Sequence, residues 1–207
     1  MDTWTKLADN QTIQKTINAL KTNGISAEVA ENGEEAKKKV LAMIPQGAEV
    51  FTNTSITTDS IGLPKEIDES GKYDSVRNKL NRMDRKTQAK EMQRLGAAPE
   101  WMVGSVHAVT QDGKVLIVSN TGSQLAGYVY GAMHVIWVVG GQKVVKDVEQ
   151  GKKRIYDYIL PKETVRLRKQ YNLPESVSSF VSKLLIVNKE INPERIKMII
   201  VKEKLGF

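Results

Sequence analysis

Val135–Val139 is an unbroken apolar run bounded by His134 and by Gly140-Gly141. Its length and β-branched content predict a strand buried on both faces. Earlier in the chain the apolar positions follow other periods. Ile13, Ile17 and Leu20 fall at i, i+4 and i+7, which predicts a helix over 11–20 that Asn23-Gly24 ends. Ile25–Ala30 alternates apolar with polar and reads as a strand. Asn32, three residues before Glu35, resembles a helix N-cap, with Ala36, Val40, Met43 and Ile44 as the buried stripe. Pro45-Gln46-Gly47 stops that helix, and Ala48–Phe51 reads as a second strand. Helix–strand–helix–strand alternation predicts an α/β fold with parallel strands.

Beyond Phe51 the pattern changes. Thr52–Gly62 is polar, and Leu63–Leu95 is highly charged, so 63–98 reads as a helical insertion or a subunit contact. Trp101–Thr110 and Lys114–Ser119 read as strands joined at Gln111-Asp112-Gly113-Lys114, where Asp-Gly suits a type I′ hairpin turn. Gly122–Gly131 has the length of a helix. Asp147–Leu160 reads as helical, with Pro161 opening another helix to Gln170. Lys183–Val187 and Ile196–Val201 read as strands separated by Asn192-Pro193. No internal repeat or linker divides the chain, so one α/β domain over 1–207 is expected, with a helix-and-strand portion at 1–47.

At 207 residues, 40% hydrophobic and 27% charged, the composition is that of an ordinary globular protein. No run of about 18 apolar residues occurs, so no membrane span is expected. The first residues carry an early acid and no apolar core of a signal peptide, which predicts a cytoplasmic protein. The chain has no cysteine, which excludes disulfides, thiolate nucleophiles and cysteine-ligated iron–sulfur clusters within it. With His107 and His134 as its only imidazoles, a three-histidine metal site is also excluded, and no metal or cofactor is expected. The net charge is +7, concentrated in 142–170, where nine Lys/Arg face four acids. A nucleic-acid patch is one reading of that segment. A solvated helical face is the other, and the interspersed acids and the lack of interleaved aromatics favour it.

Three polar or glycine-bearing loops each follow a predicted strand. They are Asn53, Thr54, Ser55 and Thr57 after the strand at 48–51; Asn120, Thr121, Gly122, Ser123 and Gln124 after 115–119; and Gly140-Gly141 after 135–139. Ligands bind beyond the carboxyl ends of strands in open α/β sheets, so parallel strands would line the three loops along one cleft. In the Asn120–Gln124 loop, Gly122 lets backbone approach a ligand, and the amides of 121–124 would sit at a helix N-terminus that favours an anion. Simple capping by Asn120 or Thr121 is the competing reading. His107 is a candidate base or a packed sheet histidine. For a stand-alone enzyme, His107 and Asp59 are the nearest titratable candidates.

Four ordered motifs carry a family resemblance: TNTSITTDSIGL at 52–63, GSVHAVTQDGKVLIVSNTGSQLAGYVYGAMHVIWVVGGQKVV from 104, YILPKE at 158–163 and IIVKEKLGF at 199–207. Together they resemble the lactate utilization protein C family of the LUD group, over roughly 48–207. The resemblance implies a mixed-sheet, three-layer α/β sandwich related to the sugar-phosphate isomerase and CoA-transferase superfamily. It implies a non-redox role in oxidising L-lactate to pyruvate, alongside iron–sulfur companion proteins, with a small anionic ligand and a possible homo-oligomer. It assigns no catalytic residue. Ser119-Asn120-Thr121-Gly122 is similar to the Ser-Glu-Asn-Gly loop of some CoA-transferases, but Asn120 stands where their glutamate forms the thioester. A neutral amide cannot be that nucleophile. A stand-alone isomerase-like enzyme acting on a phosphorylated or CoA-linked metabolite is the alternative, and a nucleic-acid module through 142–170 the third.

Overall fold

A computed structural model describes residues 3–207. Met1 and Asp2, the start of the 1–47 portion, lie outside the described residues. The first units follow the local code. Helix α1 (Asn10–Thr22) is capped by Asp9 and buries Ile13, Ile17 and Leu20. Strand β1 (Ser26–Ala30) leads to α2 (Gly33–Met43), whose first turn is closed by the Asn32 side chain accepting from Glu35 N–H at 2.9 Å. Strand β2 (Glu49–Thr52) follows, then two short helices, α3 (Ile56–Ser60) and α4 (Leu63–Glu69).

The charged stretch after Leu63 is not one helix. After α4 comes a two-residue edge strand, β3 (Asp74–Ser75), then α5 (Val76–Asn81) and α6 (Ala89–Ala97). Leu63, Ile67 and Val76 are fully buried, so the first half of this stretch closes the sheet, whereas α6 buries no residue fully. The segment read as one strand over 101–110 is also two. Strand β4 (Trp101–Gly104) ends, the chain bends through Ser105–His107, and β5 (Ala108–Thr110) starts in a different sheet. Strand β6 (Val115–Ser119) pairs antiparallel with β5 across the expected hairpin. In that turn Gly113 alone has a positive φ, +80°, so it is a type I turn closed by a left-handed glycine and not type I′.

Strands β7 (His134–Gly140), β8 (Val144–Val145), β9 (Lys183–Val187) and β10 (Ile196–Val201) complete two sheets. Six parallel strands run in the order β1-β10-β7-β4-β2-β3. The second sheet, β8-β5-β6-β9, mixes antiparallel pairs with one parallel pair. Alternate residues of the central strands face opposite cores. Val135, Trp137, Val139, Met198 and Ile200 pack on α1 and the second sheet. Ile136, Val138, Ile199 and Val201 pack on α2 and α4. The result is a three-layer α/β sandwich, with Ile155, Tyr158 and Ile159 covering the far face of the second sheet.

Two helical segments differ from their sequence reading. Only Gly127–Gly131 and the two residues before it are helical in the 122–131 stretch, as a widened π-turn. Helix α7 (Val148–Arg154) and α8 (Leu160–Tyr171) are continuous through a second π-turn at Ile155–Ile159, where Leu160 N–H bonds to Ile155 O. Pro161 therefore sits inside a helix and opens none. The widened turn relieves the clash its ring would make with the carbonyl four residues back.

Arg195 holds the first π-turn. It is 9% exposed and donates from Nε to Ala132 O (3.0 Å) and from Nη2 to Gly127 O (2.8 Å) and Tyr128 O (3.0 Å). Its Nη1 meets Glu190 Oε2 at 2.9 Å. Replacing Arg195 by Met takes a donor from three carbonyls and the ion-pair partner from a largely buried carboxylate, leaving Gly127 O only the Ala132 N–H and Glu190 only the Asn192 N–H. Chemical denaturation is expected to show a loss of about 3–5 kcal/mol. Adding Glu190→Gln to that variant should restore part of it, and a double-mutant cycle measures how much.

Candidate functional site

Where the two sheets part, at the carboxyl ends of β2 and β4, they leave a cleft of about 290 Å³. Its walls come from 53–57 after β2, Ser105–His107 between β4 and β5, the end of β6 and the loop after it, Tyr128 of the first π-turn, Lys143, the second π-turn and α8 with the 179–181 strap, and Phe207. The bend at Ser105–His107 makes this possible, because it carries one strand out of the parallel sheet into the second sheet beside its own end.

Lys143 lies at the inner end of this cleft and is 3% exposed. Its Nζ donates to Thr57 Oγ1 at 2.7 Å, Ser105 Oγ at 3.1 Å and Val106 O at 3.2 Å. Among the described residues no carboxylate pairs with it. Burial, and then the nearby Arg154 charge, push the ammonium down to about 7. Arg154 is fully buried beside it and donates to His107 O at 2.8 Å. Sequence reasoning assigned both cations to a solvated or nucleic-acid-binding face, and their burial corrects that for these two. The available signal was position: Lys143 lies between a buried strand and Val144-Val145, where a solvated lysine has no room.

His107 lines the cleft, in the bend and not on a strand. Its Nδ1 accepts from Val118 N–H at 3.2 Å, which places the proton of the neutral ring on Nε2. Burial and the charges of Lys143 and Arg154 drive it down to about 3. It is neutral at physiological pH and too weakly basic for the role of a near-neutral general base. Asp59, on α3, is not a lining residue. Burial raises its carboxyl, opposed by Arg166 and Arg77.

Asn53, Thr54, Ser55 and Thr57 all line the cleft. Ser55 and Thr57 also serve the fold: Ser55 caps α3, and Thr57 Oγ1 donates to Leu205 O at 3.3 Å. Asn53 is 8% exposed, and its Nδ2 is buried beside Tyr128 without a hydrogen bond of good geometry. Burial raises the Tyr128 phenol, against the pull of Asn53 and Trp137.

Asn120, Thr121 and Gln124 line the cleft, and Gly122 and Ser123 do not. The anion nest expected there is largely filled by the loop itself. Gly122 N–H donates to Ser119 Oγ at 2.8 Å, and Ser123 N–H to Thr121 Oγ1 at 3.3 Å. The helix begins only after Gln124, so these amides do not form its free N-terminus. The strand before this loop is in the second sheet and runs antiparallel to its neighbours, so the three loops do not share one parallel edge. Gly140 and Gly141 are outside the cleft as well. A Cβ on Gly140 would lie 2.2 Å from Gln142 Oε1 and 2.7 Å from Leu205 N, so this glycine lets the C-terminal segment cross the strand end. That crossing delivers Phe207.

Glu163 and Arg166 complete the rim. They neutralise each other through two bonds, at 2.7 and 2.6 Å. Neither was anticipated from sequence, because i,i+3 pairs are common on solvated helices.

Residues 13–201 match the family model described as LUD domain. Among solved structures, a DUF162 family protein from Deinococcus radiodurans is similar, with a TM-score of 0.58 and 10% identity over 95% of this chain and 99% of that one. At that identity the likeness shows the fold alone. No curated protein sequence matches the chain. Among the described residues no helix is long and apolar enough to cross a membrane.

His107 sets an acid limit on stability. Its folded value, about 3, lies below the ordinary 6.5, so the unfolded chain binds the proton first as pH falls. Stability contributed by the neutral ring is complete above about 6.5 and is lost progressively toward 3. Denaturation of wild type and His107→Gln between about pH 7 and 4 should show a shallower decline in the variant. Parallel curves would contradict the assignment.

Proposed function

The chain belongs to the LUD-domain family, and from that membership we propose that it serves lactate utilization by holding a short carboxylate in the cleft at Lys143. In this reading it is a non-redox component of a system that oxidises L-lactate to pyruvate. With no cysteine to ligate an iron–sulfur cluster, it leaves electron transfer to companion iron–sulfur proteins of the cytoplasm.

The carrying observation is the uncompensated Lys143. A buried ammonium without a counter-charge is costly, and a bound carboxylate supplies that counter-charge. The cradle of two hydroxyls and a carbonyl orients Nζ without neutralising it. The cleft, at about 290 Å³, sits at the small end for ligand sites, which suits a small acid. Val106, Ile155, Ile159 and Phe207 give it an apolar side for a methyl group.

The isomerase or CoA-transferase reading needs an available carboxylate or histidine in the cleft; His107 is held neutral and weakly basic, and Asp59 is not a lining residue. Asn120 is an amide, and Glu163 is engaged by Arg166. The nucleic-acid reading loses two of its nine cations to the interior, Lys143 and Arg154.

Thermal unfolding with L-lactate, pyruvate and their neutral amides tests the proposal. An acid at about 100 times its dissociation constant should add about 2.7 kcal/mol, and the amides far less. The Lys143→Met variant should lose the response. Because the carboxylate favours the protonated lysine, affinity should be level below about pH 7 and fall up to about tenfold per unit above it. Equal stabilisation by acid and amide, or a full response in Lys143→Met, would sink the reading.

A further inference from the structure

The three partners of Lys143 do not treat its two protonation states alike. Val106 O can only accept. The Thr57 hydroxyl donates to Leu205 O, so toward Nζ it also only accepts. Ser105 is different. Its hydroxyl has no close acceptor of its own, Val106 O being 3.5 Å away, so it can turn and donate. A neutral amine has two N–H groups and one lone pair. The N–H groups then go to Thr57 and Val106, and the lone pair is left on the Ser105 side, where Ser105 itself lines the cleft. A buried lysine beside a second buried cation, Arg154, at the inner end of a small cavity is the setting in which an amine serves as a nucleophile.

From this arrangement, and resting on the carboxylate-binding reading above, we infer that Lys143 Nζ condenses reversibly with the C2 carbonyl of a short 2-oxo acid bound in the cleft. The lone pair attacks C2, and the carbonyl oxygen takes up the proton that nitrogen gives away, giving a carbinolamine. Ser105 Oγ, at 3.1 Å from Nζ, relays that proton. Ser105 Oγ then relays the remaining N–H proton of the carbinolamine to its hydroxyl, which leaves as water while the nitrogen electrons form the C=N bond. The balance is amine plus oxo acid to imine plus water, with no oxidant or reductant. Asn53 lines the cleft, and a rotation of its buried amide, whose Nδ2 lacks a hydrogen bond of good geometry, would bring a donor to the carboxylate once Nζ is committed to C2. The charged groups around the amine are Arg154 from α7, neutral His107 from the bend, and the mutually paired Glu163 and Arg166 from α8. None of these is a free carboxylate that would hold the amine protonated. The 2-hydroxy acid has no carbonyl and takes the ion-paired mode only, so the same side chain distinguishes the two oxidation levels.

Reductive trapping tests the imine directly. The full-length protein is incubated with pyruvate and borohydride, and its intact mass and proteolytic peptides are measured. One carboxyethyl group on the peptide carrying Lys143 is expected, none with L-lactate, and protection when L-lactate is in excess. Lys143→Arg should lose the adduct. Stabilisation by pyruvate without an adduct at Lys143 overturns the imine and leaves carboxylate binding standing. Neither stabilisation nor adduct overturns both. Labelling scattered over surface lysines and undiminished in Lys143→Arg also overturns the imine. If that variant does not fold, the labelled peptide and the lactate protection in wild type separate the same outcomes.

Discussion

A lysine ammonium with no carboxylate beside it among the described residues sits where the two sheets diverge, and the cleft is organised around it. Its three hydrogen bonds reach α3, and both Ser105 and Val106 in the bend between β4 and β5. Those segments are far apart in sequence and are brought together by the turn that follows β7. A nearby aspartate would have made Lys143 an ordinary structural ion pair. Its place is taken by hydroxyls and a carbonyl, which orient the nitrogen and leave its charge to be answered by something else.

The rest of the cleft follows the same electrostatic logic. His107 is close enough to Lys143 and Arg154 to be held neutral, so it adds no further positive charge to the interior. Glu163 and Arg166 cancel one another at the rim. Lys143 is therefore left as the group whose charge state a ligand can set. The apolar lining of Val106, Ile155, Ile159 and Phe207 strengthens this, since a charge interacts more strongly where water is excluded.

Much of the fold was readable from local pattern. The i, i+4, i+7 stripe of α1, the Asn32 cap and the apolar run of β7 each form what they predict, because capping and periodic burial are decided within a few residues. The candidate site was only partly readable. Asn53, Thr54, Ser55, Thr57, His107, Asn120, Thr121 and Gln124 come together in one cleft, since polar loops at strand ends have few other places to go. Gly140-Gly141 has the same appearance in sequence, yet it accommodates the crossing C-terminal segment. Gly122 and Ser123 spend their amides within the loop. Those distinctions depend on Leu205, Ser119 and Thr121 as neighbours and hydrogen-bond partners, and no periodicity reports a partner.

Composition and short-range order suffice for most of the element types, the α/β class and the exclusion of cysteine-based chemistry, and the four ordered motifs carry the family resemblance. Folding in three dimensions is what divides the segment at 101–110 between two sheets and draws two cations of the basic segment into the interior. It is also what holds His107 neutral and lowers the affinity of Lys143 for its proton. The physical reason is desolvation: how readily a side chain holds its proton depends on which atoms replace water around it. For Lys143 those atoms come from residues 37, 38 and 86 positions away along the chain.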